Sequence, residues 1–186
     1  RSVSQIMLYD APGNYRPVDL DNTEPTVSRA YKKGTDAIIE ASDTGSGLWK
    51  ITEDIGGEAK VTLSGSSQLV KFKLSNDSIT TVYVYDQAGN CATVTLTSDT
   101  TAPENTTPTY SQGKYTIKVT DANAGLWKVA DTSGNALTNG DYSSKGYPRT
   151  QQTFTGTGRV ATVRLYDALG KYKDVSLDNT EPTASG

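Results

Sequence analysis

Two sets of carboxylates are the residues of this 186-residue chain that could do chemistry. Glu24, Asp43 and Asp86 make one set; Asp99, Asp121 and Asp167 make the other. Each set draws one acid from each of three separated segments. Oxygen atoms from several segments are what Ca²⁺ requires, about six to eight in all. The competing possibility is that each aspartate only closes its own turn, because Asp readily accepts hydrogen bonds from nearby backbone.

Other chemistries lack their residues. The chain has no histidine, which removes the usual acid–base group near neutral pH and a common metal ligand. Cys91 is the single cysteine, so no intrachain disulfide can form. A thiol nucleophile would want a basic partner, and Cys91 is expected instead to act as a small hydrophobe at a strand start. No nucleophile stands beside a base, and no glycine loop opens a helix for phosphate, so the expectation is a non-enzyme. The net charge is −3 with both signs interspersed. Without a basic stripe, nucleic acid is not an expected partner. No stretch approaches the ~18 apolar residues of a membrane span, so membrane insertion is not expected either.

The elements that must position these acids are strands. The chain holds 27 threonines and 17 serines beside 17 glycines, with only 34% hydrophobic residues. Threonine suits a half-exposed pleated surface. Three stretches align: "IMLYDAPGNYRPVDLDNTEPT" from Ile6, "VYVYDQAGNCATVTLTSDTTAPE" from Val82 and "VRLYDALGKYKDVSLDNTEPT" from Val163. "ASDTGSGLWKITE" from Ala41 aligns with "VTDANAGLWKVAD" from Val119. Trp49 to Trp127 is 78 residues, Pro25 to Pro103 is 78, and Pro103 to Pro182 is 79. A repeat of that length suits a small β-sandwich. The division is residues 1–25 as the last hairpin of a repeat, 26–102 as one full repeat and 103–186 as another. A unit of this size buries only about 60% of its unfolded surface, so neighbours should help to stabilise it.

Period-2 alternation puts Val82 with Val84, and Val163 with Leu165, on inner faces. Arg164 marks the outer side, because an unpaired buried guanidinium is costly. Ala92, Val94 and Leu96 alternate with threonines in the next strand. Between the two strands lies Asp-x-x-Gly, at Asp10, Asp86 and Asp167, which reads as a turn with glycine at its last position. Counting by twos sets Trp49 with Ile51, and Trp127 with Val129, on one face. The expectation is a core tryptophan in each repeat rather than a sugar-stacking platform. Tyr15, Tyr31, Tyr110, Tyr142, Tyr147 and Tyr172 remain as candidate exposed aromatics. The joints run Asp21 to Pro25, Asp99 to Pro103 and Asp178 to Pro182. Proline fixes φ and restricts the residue before it, which makes these connections short and stiff.

"DTGSGLWK", "YDQAGN" and "SDTTAP" resemble the bacterial Ig-like domains strung along large surface proteins. The resemblance covers nearly the whole chain, departing at Lys171, where the other copies carry Asn14 and Asn90. Fibronectin type III relatives share the pattern. The resemblance implies tandem Ig-like antiparallel β-sandwiches, about seven strands each, with a partial N-terminal hairpin. It implies an extracellular, cell-surface location and a role as spacer or adhesive stalk. In such a sandwich the loops after the second and sixth strands share one end, which would gather Glu24, Asp43 and Asp86, and then Asp99, Asp121 and Asp167, around Ca²⁺. Some surface adhesins carry a Lys–Asn isopeptide bond. Lys118 and Asn179 are the conceivable pair here.

Three roles remain open. The repeats could extend or assemble a surface structure, with neighbouring Ig-like repeats, glycan or a host surface protein as partners. They could serve as an accessory carbohydrate-binding module of a secreted enzyme. Or the hairpin of residues 1–25, whose Ile6, Leu8, Val18 and Leu20 would otherwise be exposed, could pair with another molecule by strand donation, giving self-association.

Overall fold

The computed structural model describes residues 3–142, 150–158 and 160–180. The protein is all-β, and no described residue is helical. Two compact units divide the chain, residues 1–30 with 34–97, and residues 31–33 with 98–186.

In the first unit, β1 (Gln5–Tyr9) and β2 (Tyr15–Asp19) form an antiparallel hairpin with Leu8 opposite Arg16. Then come β3 (Thr26–Lys33), β4 (Asp36–Ser42), β5 (Leu48–Thr52), β6 (Val61–Thr62), β7 (Ser67–Lys73), β8 (Thr81–Asp86), β9 (Cys91–Thr95) and β10 (Thr97–Ser98). One sheet holds β3, β4 and β7 in that order; the other runs β6–β5–β8–β9. A core of Ile39, Leu48, Ile51, Phe72, Val82, Val84 and Val94 is drawn from both sheets. Each such side chain contributes about 1.5–3 kcal/mol when fully buried.

The second unit repeats the plan. Its strands are β11 (Glu104–Asn105), β12 (Thr109–Ser111), β13 (Lys114–Thr120), β14 (Leu126–Ala130), β15 (Ala136–Asp141), β16 (Gln151–Thr157), β17 (Thr162–Asp167) and β18 (Tyr172–Ser176). β13 pairs with β11, β12 and β16 in one sheet, and β15–β14–β17–β18 form the other. Ile117, Val119, Leu126, Val129, Phe154, Val163, Leu165 and Val175 make its core, which shares no residue with the first. Val82, Val84, Val163 and Leu165 lie inward, as their alternation predicts. Arg164 lies on the opposite face and grips Asp174 with two bonds, Nε to Oδ1 at 2.7 Å and Nη2 to Oδ2 at 2.9 Å.

The tryptophans correct the sequence reading. Trp49 is 41% exposed, Trp127 is half-buried, and neither belongs to a core. The cause is a bulge in the same place in both repeats. The β5–β8 register shifts between Leu48 and Lys50, and the β14–β17 register between Leu126 and Lys128. One extra residue breaks the period of two. Leu48 and Ile51, three apart, therefore both point inward and are fully buried. The extra residue is the tryptophan, which meets the Tyr85 ring edge-on at 6.4 Å and lies under the Lys50 ammonium at 4.5 Å.

Lys118 sits exposed on β13 and Asn179 is exposed beyond β18. An isopeptide bond needs its lysine buried, so this pair does not meet the requirement. Of the candidate tyrosines, Tyr15, Tyr110 and Tyr172 are exposed, Tyr31 is half-buried and Tyr142 is buried. Tyr147 and Pro182 lie outside the described residues. Cys91 opens β9 and is half-buried. Ile6, Leu8 and Leu20 of the hairpin are exposed and Val18 is half-buried.

The bulge sets a clear order of mutational cost. Leu126→Ala should destabilise the second repeat by about 2–5 kcal/mol through the cavity it leaves. Trp49→Ala should cost the first repeat only about 1 kcal/mol, from lost ring and cation contacts. Urea unfolding of each variant measures both, and a tryptophan cost equal to the leucine cost would contradict the assigned faces.

Candidate metal centre

The sites are built from turns. Asp86 closes the β8–β9 hairpin: its Oδ1 accepts the Asn90 amide at 2.8 Å, and Gly89 adopts φ 90° behind it. That positive φ is why glycine occupies the position. Asp10 and Asp167 close the equivalent turns, accepting the amides of Asn14 and Lys171 at 2.7 and 2.8 Å. A fourth copy at Asp131, accepting the Asn135 amide at 2.9 Å, links β14 to β15. Its signal, "DTSGN", is as legible as "DQAGN".

A second type of loop precedes each bulged strand. Asp43 Oδ1 accepts the amides of Gly45 and Gly47 at 3.1 and 2.7 Å. Asp121 Oδ1 accepts those of Asn123 and Gly125, both at 3.0 Å. The joints supply a third type. Asp21 Oδ1 takes the Thr23 amide and hydroxyl, Asp99 Oδ1 those of Thr101, and Asp178 Oδ1 those of Thr180.

Two groups result. In the first unit, Asp21, Asp43 and Asp86 each offer an oxygen, and these atoms lie within 4.8 Å of one another. Asp43 and Asp86 are expected members. Glu24 is not a member: it is exposed, and Asp21 takes its place. Asp21 is tied inward because its Oδ2 also accepts the Ser46 amide at 2.7 Å, while the Asn90 side chain donates to the Asp21 carbonyl at 3.2 Å. A Cβ at Gly45 would collide with the Asp21 carboxylate. The missed signal was the spacing itself, since Asp21 to Asp99 is 78 residues and Asp99 to Asp178 is 79.

In the second unit, Asp99, Asp121 and Asp167 are all buried. Asn123 joins two of them: its amide donates to Asp121, and its side chain reaches Asp99 Oδ1 at 3.4 Å. The Asp99 amide is itself held by the Lys32 carbonyl at 3.0 Å. The Asp21–Asp43–Asp86 group presents only oxygen, which suits a hard divalent cation over a soft metal.

The electrostatics of the two differ. Hydrogen bonds from the Thr23 hydroxyl and amide, and then from the Ser46 amide, hold the Asp21 carboxyl well below the usual range. Burial pushes Asp167 up to about 7, although the Lys171 amide opposes it, and the charges of Asp99 and Asp121 push the same way as burial. No protein-family model matches this chain, and no curated protein matches it.

Asp167 therefore carries a pH signature in divalent-free buffer. Its folded carboxyl holds a proton up to about 7, while the unfolded one releases it near 3.8. Between those values the folded state binds the extra proton, so its stabilisation is complete below the unfolded value and is lost as pH rises through the folded one. Urea unfolding in a Trp49→Phe background, read through Trp127 fluorescence, should show the second repeat losing stability from about pH 4 to about pH 7. Asp167→Asn should flatten that slope. An unchanged slope would refute the assignment.

Proposed function

We propose that this chain is a non-enzymatic structural module: consecutive Ig-like repeats of an exported bacterial surface protein that extend or assemble a stalk. The observation that carries this reading is the joint aspartate. Asp21 belongs to the turn that leaves the N-terminal hairpin, yet its carboxylate and carbonyl are bound by Ser46 and Asn90 of the following repeat. A flexible tether would leave such a residue in solvent. The Ser46 bond, made to a carboxylate, is charge-assisted and so stronger than a neutral one. The same spacing returns at Asp99 and Asp178, as expected of a joint meant to be used again and again. Neighbouring repeats are the first partners in this reading, and a glycan or a host surface protein is the adhesive one.

The exposed indole supports a second reading. Trp49, with Tyr85 at its edge, is the kind of rigid aromatic surface on which a sugar ring stacks. An accessory carbohydrate-binding module of a secreted enzyme would use it so.

One set of experiments separates these readings. An antibody raised against the chain should label intact cells that carry the parent protein, and protease added outside should remove the label. Labelling seen only after permeabilisation would overturn the surface assignment. A glycan-array signal abolished by Trp49→Ala would favour the carbohydrate reading over the stalk.

A further inference from the structure

We propose that Asn139 is a site of spontaneous deamidation in the folded protein, and that the isoaspartate formed there loosens the core of the second repeat at Phe154. The inference goes beyond the stalk reading and holds whichever surface role is right.

The reaction needs a side-chain amide free to turn and a following backbone nitrogen that nothing shields. The chain has nine asparagines, and Asn139 alone precedes a glycine. Most of the others are tied down. Asn14, Asn90 and Asn135 donate to the turn aspartates Asp10, Asp86 and Asp131. Asn22 and Asn105 donate to backbone carbonyls, Asn76 accepts from Ser78, and Asn123 reaches Asp99 and Thr101. Among the described residues, no hydrogen bond holds the side chain of Asn139 or Asn179. At Asn179 the next nitrogen, that of Thr180, is spent on the Asp178 carboxylate at 3.0 Å. Asn139 therefore stands apart on both counts.

Its backbone is also off the regular ladder. Ala136 pairs with Ala130 and Asp141 with Lys128, so residues 137–140 face Val129 alone. Asn139 is exposed within this irregularity and adopts φ 60°, a left-handed conformation that asparagine tolerates. Gly140 has no side chain to screen its nitrogen. That nitrogen, its proton given to solvent base, attacks Asn139 Cγ. The new C–N bond forms as ammonia leaves, and a five-membered succinimide results. Water then opens the ring. Attack at Cγ gives aspartate; attack at the main-chain carbonyl gives isoaspartate, with the chain rerouted through the side chain.

The rerouted chain carries one extra carbon into a place with no room. Gly140 is buried, and a Cβ there would collide with the Val129 carbonyl and press on the Phe154 ring. Phe154 is 2% exposed and belongs to the second core. Lengthening the backbone beside a close-packed side chain forces it to shift.

Ageing the full chain in warm, mildly alkaline buffer tests this. Mass-spectrometric peptide mapping should find an amide replaced by an acid at Asn139 before any other asparagine. An isoaspartyl methyltransferase should label the same peptide, and Asn139→Gln should lose that label, because the ring it would need is six-membered and closes far more slowly. Hydrogen exchange at Phe154 should be faster in the isoaspartate form, purified by ion exchange, than in Asn139→Asp, which has the charge without the extra backbone carbon. Conversion of Asn139 in urea but not in the folded chain would overturn the proposal. So would earlier conversion at another asparagine, or equal Phe154 exchange in the isoaspartate form and in Asn139→Asp.

Discussion

The structure depends on aspartate carboxylates that accept the backbone amides of their own turns. Among the described residues nine of them, Asp10, Asp21, Asp43, Asp86, Asp99, Asp121, Asp131, Asp167 and Asp178, use Oδ1 in the same way. Each such bond satisfies a loop amide that no sheet ladder reaches, and it fixes the loop on either side of a strand. Once Oδ1 is committed, the direction of Oδ2 follows. Asp21, Asp43 and Asp86 are brought close together because three loops are each closed by the same device. The joint is thus a consequence of turn chemistry repeated in three places.

What the two repeats do with that shared scaffold differs at few residues. Both keep the bulge ahead of which glycine adopts a positive φ, 85° at Gly47 and 76° at Gly125. Both bury a leucine and a β-branched residue around the bulge and push the indole outward. They part at Asn90 and Lys171. The asparagine side chain answers both Asp86 and the Asp21 carbonyl. The lysine offers only its amide to Asp167. A single side-chain change leaves one carboxylate oxygen buried without a donor.

Much of the fold was legible because its signals are local. Alternation at Val82–Val84 and Val163–Leu165 reports which face is buried, and Asp-x-x-Gly reports a turn, since one residue accepts a bond and another tolerates positive φ. The tryptophans were misplaced because a bulge changes the period without changing the composition. "GLWKI" looks the same whether or not an extra residue interrupts the ladder, and only the pairing of β5 with β8 shows it. At the site, Asp43 and Asp86 of the six expected acids stand with Asp21 in one group, and Asp99, Asp121 and Asp167 are each buried at their own turns. Glu24 lies exposed in the joint, while the residue that bends back is Asp21, whose Oδ1 is tied to Thr23. The 78-residue spacing to Asp99 would have identified it. The unanswered Oδ2 of Asp167 is marked by Lys171 standing where Asn90 stands, whereas that of Asp99 left no mark in the sequence, because burial and donor supply are set by packing.

Hydrogen exchange at the Ser46 amide tests most directly whether the joint aspartate serves two repeats at once. Its bond is to the Asp21 carboxylate, across 25 residues, at 2.7 Å. Slow exchange at Ser46 is expected in the parent chain. In Asp21→Ala that exchange should speed up by about tenfold or more, the loss of one charge-assisted bond, while Ile51 and Val84 in the core keep their protection. Fast exchange at Ser46 in the parent, or exchange indifferent to Asp21→Ala, would contradict a joint built on that carboxylate.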